Sequence, residues 1–239
     1  VYLVVTLLPR RAIDPVVKAS EKQKQFITDA GHELKTPITV IATSLKVLEM
    51  ESGENKWIDK SLAQTEKLRD LVNSLVSLSR LDEEQSPLKM AEFPISEAIS
   101  ETAESFRDYA EANGHELQLE IAPALTYTGD EYAIRQLVSI LLDNAVKYAD
   151  EHACIKLSLE KGKKGPVIRT MNPCTGLTRQ QVERLFDRFY RVDQSRTTGG
   201  FGIGLSMARS IAEGHKGSIK ATCCEENKIE FTVLLGKCV

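Results

Sequence analysis

The stretch Gly31-His32-Glu33-Leu34-Lys35-Thr36-Pro37 lies in residues 12–50, a segment whose composition favours a helix. On a helical wheel with about 100° per residue, eight apolar side chains of this segment form one stripe on the side opposite His32. His32 is therefore predicted to face solvent, with Thr36 and Thr39 near it on the polar face. The apolar stripe consists of Phe26, Ile27, Ala30, Leu34, Ile38, Ile41, Leu45 and Leu48.

A second amphipathic segment, residues 56–82, follows a turn at Ser52-Gly53-Glu54-Asn55. Two helices joined by so short a loop form an antiparallel hairpin. One hairpin with a single apolar stripe per helix cannot cover its apolar surface, whereas two hairpins paired into a four-helix bundle can. We therefore predict a dimerising helical hairpin over residues 12–85, and a homodimer.

After about Glu83 the pattern becomes a mixture of strands and helices, which marks a domain boundary. The segment Glu116-Leu117-Gln118-Leu119-Glu120-Ile121 alternates as a strand does, and Asp130 is placed to cap a helix that runs to Tyr148. We predict an α+β chain: the hairpin, a linker at 86–92, and an α/β sandwich over 93–239. Its other predicted elements are a helix at 95–112 and strands at 153–159, 166–171, 218–223 and 228–235.

Charge and cysteine content exclude some classes of function. The 31 basic and 34 acidic residues leave a net charge of -3, which argues against nucleic acid as a partner. The 5 cysteines form no CxxC pair and no Cys/His metal spacing. Scattered thiols of this kind fit a reducing cytosol, where they serve as small apolar fillers.

The first residues are apolar from Val1 to Leu8, and Arg10-Arg11 follow at once. Eight residues are too few to span a bilayer, which takes about 20. They fit the last turns of a membrane helix with the arginines on the cytoplasmic side, a buried strand, or an ordinary amphipathic start. The first interpretation assigns residues 1–11 to a membrane exit and makes the rest the cytoplasmic portion of a membrane protein.

His32 has the properties of a nucleophile. Imidazole is reactive near neutral pH, and the adjacent Glu33 can orient it or take its proton. A lone histidine on a helix is more often an ordinary surface residue. Together with Phe26, however, the string Gly31 to Pro37 resembles the H-box of sensor histidine kinases. The resemblance implies phosphorylation at His32, assistance by Glu33, and a water positioned by Thr36 for dephosphorylation of a partner response regulator.

A second motif is Leu141-Leu142-Asp143-Asn144-Ala145-Val146-Lys147-Tyr148. Asn144, Lys147 and Tyr148 share one helix face, and their side chains suit Mg²⁺, phosphate and a base, respectively. The motif resembles the N-box of the ATP-binding domain of the same family, which implies ATP and Mg²⁺ as cofactors. Ile140 stands where that box often has a further Asn.

A third motif runs from Leu185-Phe186-Asp187-Arg188-Phe189-Tyr190-Arg191 to a glycine-rich stretch that ends at Leu205. Glycines allow backbone amides to approach phosphate closely, and a helix predicted to start near Gly202 directs its positive end at an anion. The pair resembles the F-box and the second glycine box, with a mobile lid between them. The resemblance implies nucleotide contacts at Gly200, Gly202, Gly204 and Leu205. It makes Arg191 a γ-phosphate contact, although a surface salt bridge remains open for that residue.

The first glycine box of the family is altered. It normally reads Asp-x-Gly-x-Gly, and the matching residues are Asn172-Pro173-Cys174-Thr175-Gly176. The resemblance implies that Asn172 and Gly176 contact the nucleotide. Asn keeps an acceptor for the adenine amino group but loses a charge, at a cost of about 1 kcal/mol. Because Asn also carries a donor, we expect discrimination between adenine and guanine to be relaxed.

Two functions stay open from the sequence. The resemblance implies an ATP-dependent protein-histidine kinase of a two-component system, which phosphorylates itself at His32 and passes the phosphoryl group to an aspartate of a response regulator. The alternative is a weakly catalytic or phosphatase-dominant partner with an altered glycine box. An ATPase machine with the same nucleotide fold is disfavoured, because it does not need the His32 string on a dimerising hairpin.

Overall fold

The structure is a computed structural model that describes residues 30, 34–51, 53, 55–81, 88–192, 202–224 and 227–237. The chain divides into two compact units, Val1–Ser86 and Pro87–Val239. The predicted membrane-exit segment at 1–11 lies outside the described residues. Within the described ranges, every helix is too short or too polar to traverse a bilayer.

The first unit is a pair of helices. Helix α1 covers residues 34–51 and helix α2 covers Lys56–Leu81. Gly53 adopts φ +74° in the short connection, a backbone conformation that glycine reaches without strain. Ile38 of α1 and Val72 of α2 are each 3% exposed and form one apolar cluster. The predicted hairpin is confirmed.

The second unit is built on a mixed sheet with the strand order β2-β4-β5-β7-β6. β2 and β4 are parallel, and the other neighbouring strands are antiparallel. A separate two-stranded sheet pairs β1 with β3. The strands are β1 Ala91–Phe93, β2 Glu116–Ile121, β3 Tyr127–Gly129, β4 Cys154–Lys161, β5 Pro166–Pro173, β6 Ser218–Cys224 and β7 Lys228–Leu234.

Helices cover one face of the five-stranded sheet. The longest, α5, packs against both α3 and α7 and contacts β4 and β5. Side chains alternate along β7 between buried and half-buried, so a single face of that strand is fully covered. The predicted α+β class, a helical hairpin followed by an α/β sandwich, is confirmed. The helices of this unit are α3 Ile95–Glu104, α4 Arg107–Ala112, α5 Glu131–Tyr148, α6 Arg179–Arg184 and α7 Gly204–Gly214.

Several details differ from the sequence predictions. The single helix predicted at 95–112 is broken near Ser105, whose hydroxyl donates to the carbonyl of Thr102 at 2.7 Å. α7 begins at Gly204 rather than near Gly202, because Gly202 has φ +73° and cannot be helical. β1, β3 and α6 were not predicted, since three to six residues are too few to show a period.

Candidate nucleotide-binding and phosphoacceptor sites

The predicted phosphoacceptor region is described only in part. His32, Glu33 and Gly31 lie outside the described residues. Thr36 lies in the first described turns of α1 and is exposed. The hydroxyl of Thr39 donates to the carbonyl of Lys35 at 2.8 Å. Thr36 and Thr39 are both exposed, as predicted, whereas the orientation of His32 stays a prediction.

The last two turns of α5 present three of the predicted nucleotide-binding side chains. Asn144, Lys147 and Tyr148 are all half-buried. The ammonium of Lys147 contacts Oδ2 of Asp143 at 2.7 Å. Burial lowers the pKa of Lys147, but the hydrogen bond and the charge of Asp143 outweigh it and raise the pKa above its usual value. Lys147 therefore stays protonated, and its positive charge suits an anionic ligand.

The altered glycine box lies at the end of β5. Asn172 is 2% exposed and pairs in the sheet with Ile229 of β7. Its Nδ2 donates to the carbonyl of Pro173 at 3.0 Å. Gly176 has φ +84°, and a β-carbon added there would meet no atom within 4 Å. The loop therefore combines a fixed amide with open space beside it.

Sequence reasoning missed Asp150, which links α5 to this loop. The carboxylate of Asp150 accepts hydrogen bonds from the backbone N–H of Thr175 at 3.2 and 3.1 Å and from its hydroxyl at 3.0 Å. The backbone N–H of Asp150 donates to the carbonyl of Pro173 at 3.0 Å. An aspartate two residues after the end of a predicted helix was the available signal, but a contact across 25 residues does not show in local spacing.

The base of the glycine-rich stretch is closed by backbone contacts. Phe189 donates its N–H to the carbonyl of Gly202 at 2.8 Å, and both residues have positive φ, 62° and 73°. A β-carbon at residue 202 would lie 2.7 Å from the carbonyl oxygen of Tyr190, so only glycine fits. Gly200 lies outside the described residues. The two ends of the predicted lid are thereby brought together.

The start of α7 lies against α5. A β-carbon on Gly204 would lie 3.4 Å from Cγ2 of Ile140, which places the first residue of α7 beside the N-box helix. Leu205 is buried. Within the described ranges no side chain caps this helix start, so its first amides keep no side-chain acceptor there. Ile140, which departs from the N-box pattern, thus packs against the glycine stretch.

The aromatic segment before the lid is anchored in the core. The ring of Phe186 meets Phe231 edge-on at 6.2 Å, and the guanidinium of Arg209 lies 4.6 Å from the Phe186 ring centroid. Arg184 stacks similarly on Tyr190 at 4.4 Å. Arg191 is half-buried at the end of this segment. The segment is therefore fixed up to the point where the lid begins.

Two depressions lie beside α5. One of about 480 Å³ lies between α4 and the end of α5, and Lys147 and Tyr109 line it. The other, of about 440 Å³, lies between α3 and the start of α5. Among the described residues predicted to bind nucleotide, Lys147 alone lines the larger depression, and none of them lines the smaller one.

Two family models match the chain. Residues 22–84 match the His Kinase A (phospho-acceptor) domain. Residues 129–237 match the histidine kinase-, DNA gyrase B- and HSP90-like ATPase family. These two matches correspond to the hairpin and to most of the sandwich.

Curated relatives and solved structures agree with these matches. Sensor protein DltS of Streptococcus agalactiae is 33% identical over 90% of this chain and 54% of its own length. Sensor protein CiaH of Streptococcus pneumoniae is 32% identical over 95% of this chain and 51% of its own length. The chain thus spans about half the length of these relatives.

The crystal structure of full-length ShkA in complex with AMPPNP shares the fold, with a TM-score of 0.73 and 21% identity over 90% of this chain and 46% of that one. A phosphoacceptor-type hairpin, an ATPase-type sandwich and sensor kinase relatives that match along nine-tenths of the sequence all indicate one group. The chain belongs to the two-component sensor histidine kinase family.

Proposed function

We propose that this chain is a protein-histidine kinase that transfers the γ-phosphoryl group of ATP to His32, and then to an aspartate of a response regulator. The observation that carries the proposal is the convergence of three predicted elements in the second unit. α5 packs against α7 and β5, and Asp150 joins the end of α5 to the loop after Asn172. The matches to both kinase family models support the same assignment.

The chemistry of the residues predicted for this site suits ATP. Asn172 would meet the base, Tyr148 would pack beside it, and Lys147 would meet the phosphates. Arg191 is assigned to the γ-phosphate. The glycines 176, 200, 202 and 204, followed by Leu205, would let backbone amides approach the nucleotide.

A magnesium ion fits the same site. Mg²⁺ in nucleotide enzymes takes few protein ligands and completes its coordination with phosphates and water. The half-buried amide of Asn144 on α5 would supply one oxygen ligand to such an ion. When bound, the ion would neutralise charge on the phosphates.

At the hairpin, a nitrogen of the His32 imidazole would attack the γ-phosphorus. The new N–P bond forms as the bond from phosphorus to the bridging oxygen breaks, and ADP leaves with that electron pair. Glu33 would take the proton from the imidazole, which keeps the nucleophile neutral. Positioning and charge neutralisation would supply most of the rate.

The hairpin surface fits two partners. Leu34, Ile41 and Leu48 recur every seven residues on α1 and remain 46–49% exposed in a single chain, which suits a second copy of the hairpin. Val40 and Val47 are 58% and 47% exposed and follow Thr36 along the helix on its solvent side. They suit the docking of a response regulator. Thr36 would position a water there for dephosphorylation of the regulator.

The proposed cellular setting is the cytoplasmic side of a bacterial cell membrane. The apolar run Val1 to Leu8 followed by two arginines supports a membrane exit just before the hairpin. The relatives carry the description of sensor proteins. No nucleic-acid partner is proposed, because the net charge of -3 gives no basic excess.

A second candidate function is that of a phosphatase-dominant or weakly catalytic signalling partner. The altered loop favours it, since Asn172 and Cys174 replace the charge and the first glycine of the usual box. The two functions differ in whether bound ATP leads to a phosphorylated histidine.

The test is incubation with γ-labelled ATP and Mg²⁺, with ATP affinity measured in parallel on native protein, His32→Gln and Asn144→Ala. We expect an acid-labile, alkali-stable label on the native chain only, with ATP affinity retained by His32→Gln. ATP binding without any label would favour the second candidate. Absence of ATP binding, or equal labelling of His32→Gln, would contradict the kinase assignment.

A further inference from the structure

We propose that Asp150 is a positioning residue for nucleobase recognition. It fixes the loop 173–176 so that Asn172 presents its amide oxygen, rather than its amide hydrogens, to the base. This inference rests on the proposed function of the same site and names the feature that selects its substrate. Asp150 itself need not touch the nucleotide.

The first support is the set of bonds between Asp150 and Thr175. Three donor–acceptor contacts of 3.0–3.2 Å join the two residues, from both the backbone and the hydroxyl of Thr175. Each such bond is modest near the surface, but hydrogen bonds to a carboxylate are stronger than neutral ones. Together they tie the loop to the end of α5, the helix that carries Asn144 and Tyr148.

The second support is the carbonyl of Pro173, which accepts two hydrogen bonds. One comes from the backbone N–H of Asp150 and the other from Nδ2 of Asn172, each at 3.0 Å. A carbonyl oxygen has two lone pairs, so both bonds are satisfied together. Because Asp150 also holds Thr175 two residues further on, the orientation of this carbonyl is fixed from both sides.

The orientation of the Asn172 amide decides which base it can read. One of its two Nδ2 hydrogens donates to the carbonyl of Pro173, which fixes the orientation of the amide and directs its oxygen, an acceptor, away from that carbonyl. We assign this oxygen to the base. Adenine offers an amino donor at the position where guanine offers a carbonyl acceptor. An ionised aspartate can only accept hydrogen bonds, whereas an asparagine amide can also donate them. The hydrogen bonds of Asp150 thus fix by geometry the acceptor that an aspartate would supply by its chemistry. We therefore predict that the chain keeps its preference for adenine although Asn172 replaces the usual aspartate.

The loop 173–176 is also held by contacts that do not involve Asp150, so Asp150 can be substituted without detaching the loop. The backbone N–H of Cys174 donates to the carbonyl of Asn227, in the turn between β6 and β7, at 2.7 Å. β5 itself stays paired with both β4 and β7. Loss of the Asp150 carboxylate therefore loosens the loop without detaching the strand, and the variant is expected to fold.

The experiment measures the affinities of the full chain for ATP and GTP in native protein, Asp150→Ala and Glu151→Ala. Glu151 is exposed, and Glu151→Ala removes the same charge one residue away from Asp150. This variant therefore controls for long-range electrostatics. We expect the ATP-to-GTP preference to fall at least threefold in Asp150→Ala and to stay within twofold of native in Glu151→Ala. Thermal unfolding is recorded alongside, because a purely structural role would lower the Tm and leave the preference unchanged.

Two further variants sharpen the result. Asp150→Asn keeps an acceptor for Thr175 and is expected to recover part of the preference. Thr175→Val removes one donor to Asp150, and it is expected to lower the preference in the native background but not in Asp150→Ala.

Two outcomes overturn the inference. If the native chain binds ATP and Asp150→Ala keeps the native ATP-to-GTP preference, this inference is wrong and the proposed function stands. A native chain that binds neither nucleotide overturns the proposed function and this inference with it.

Discussion

The hairpin and the sandwich bury their apolar residues to very different extents. In the sandwich, helix α5 and strand β4 contribute side chains with no exposed surface, among them Ile134, Leu137 and Leu157. In the described part of the hairpin, Ile38 and Val72 are the most deeply buried apolar side chains. Other apolar residues of α1, among them Leu34, Ile41 and Leu48, remain near half exposed. The difference shows which unit can complete a core from one chain.

This difference matches the two roles proposed for the units. A nucleotide pocket needs fixed geometry, which a self-sufficient core supplies. A phosphoacceptor hairpin that must meet a second copy, a nucleotide domain and a regulator needs exposed surface instead. We therefore expect the two units to respond differently to mutation, dilution and pH.

The largest effect is expected from Phe231→Ala in the sandwich. Phe231 is buried on β7 against Phe186, and its removal should destabilise the sandwich by about 3–5 kcal/mol. Urea unfolding of the full chain followed by circular dichroism measures this loss. Tyr132→Ala, at an exposed position of α5, is the matched control and should change stability by about 0.5 kcal/mol or less. Equal effects of the two variants would contradict the proposed core.

A smaller effect, confined to the hairpin, is expected from Ile41→Ala. Half of this side chain is exposed in one chain and would be covered in a dimer, so the dimer should weaken by about 2 kcal/mol, or about 30-fold in Kd. Analytical ultracentrifugation measures the Kd. Val40→Ala, one residue away on the solvent side, should leave the Kd unchanged and weaken phosphotransfer to the regulator. A Kd that responds equally to both variants would show that the wrong face was assigned.

The sequence predicted the fold where patterns were long and regular. The hairpin, the α5 helix capped by Asp130 and the β2 strand followed from hydrophobic period and capping chemistry, and the structure confirms them. The short strands β1 and β3 carried no readable period. The break at Ser105 was missed as well, because a local side-chain bond there competes with the helix.

The candidate site was predicted from motifs, and the connections between motifs were not. Asn144, Lys147 and Asn172 were singled out because their types suit a nucleotide. Asp143 and Asp150 were not, although one holds Lys147 and the other holds Thr175. The Asp143–Lys147 pair could have been found, because the two residues lie four apart on one helix. The contact between Asp150 and Thr175 depends on how α5 and β5 meet in space, which local residue spacing does not encode.

The smallest effect is expected from pH, through His215 in the sandwich. This ring is fully buried: its Nε2 accepts the backbone N–H of Asp130 at 3.0 Å, and its Nδ1 lies 2.8 Å from the carbonyl of Ile211. Burial lowers the pKa of His215, although the Ile211 carbonyl and the charge of Asp130 oppose this. The ring of Tyr127 lies beside it at 6.0 Å.

Because the pKa of His215 is lower in the folded state, the unfolded chain binds the proton more readily. The stabilisation is then fully present above the unfolded pKa of about 6.5 and is lost as pH falls below it. We expect the urea midpoint of the sandwich to fall between pH 7 and pH 5, and to fall less in His215→Asn. His152→Asn, at an exposed histidine, should keep the native slope. A native slope in His215→Asn would exclude this residue as the cause.

We expect the nucleotide unit to work alone, whereas the phosphoacceptor hairpin needs a second copy. The most direct test is a dilution series in which the rate of His32 labelling per chain, the affinity for ATP and the molecular mass are measured together. We predict that labelling per chain falls as the dimer dissociates while ATP affinity stays constant. Undiminished labelling of His32 by a chain that is demonstrably monomeric would contradict the account.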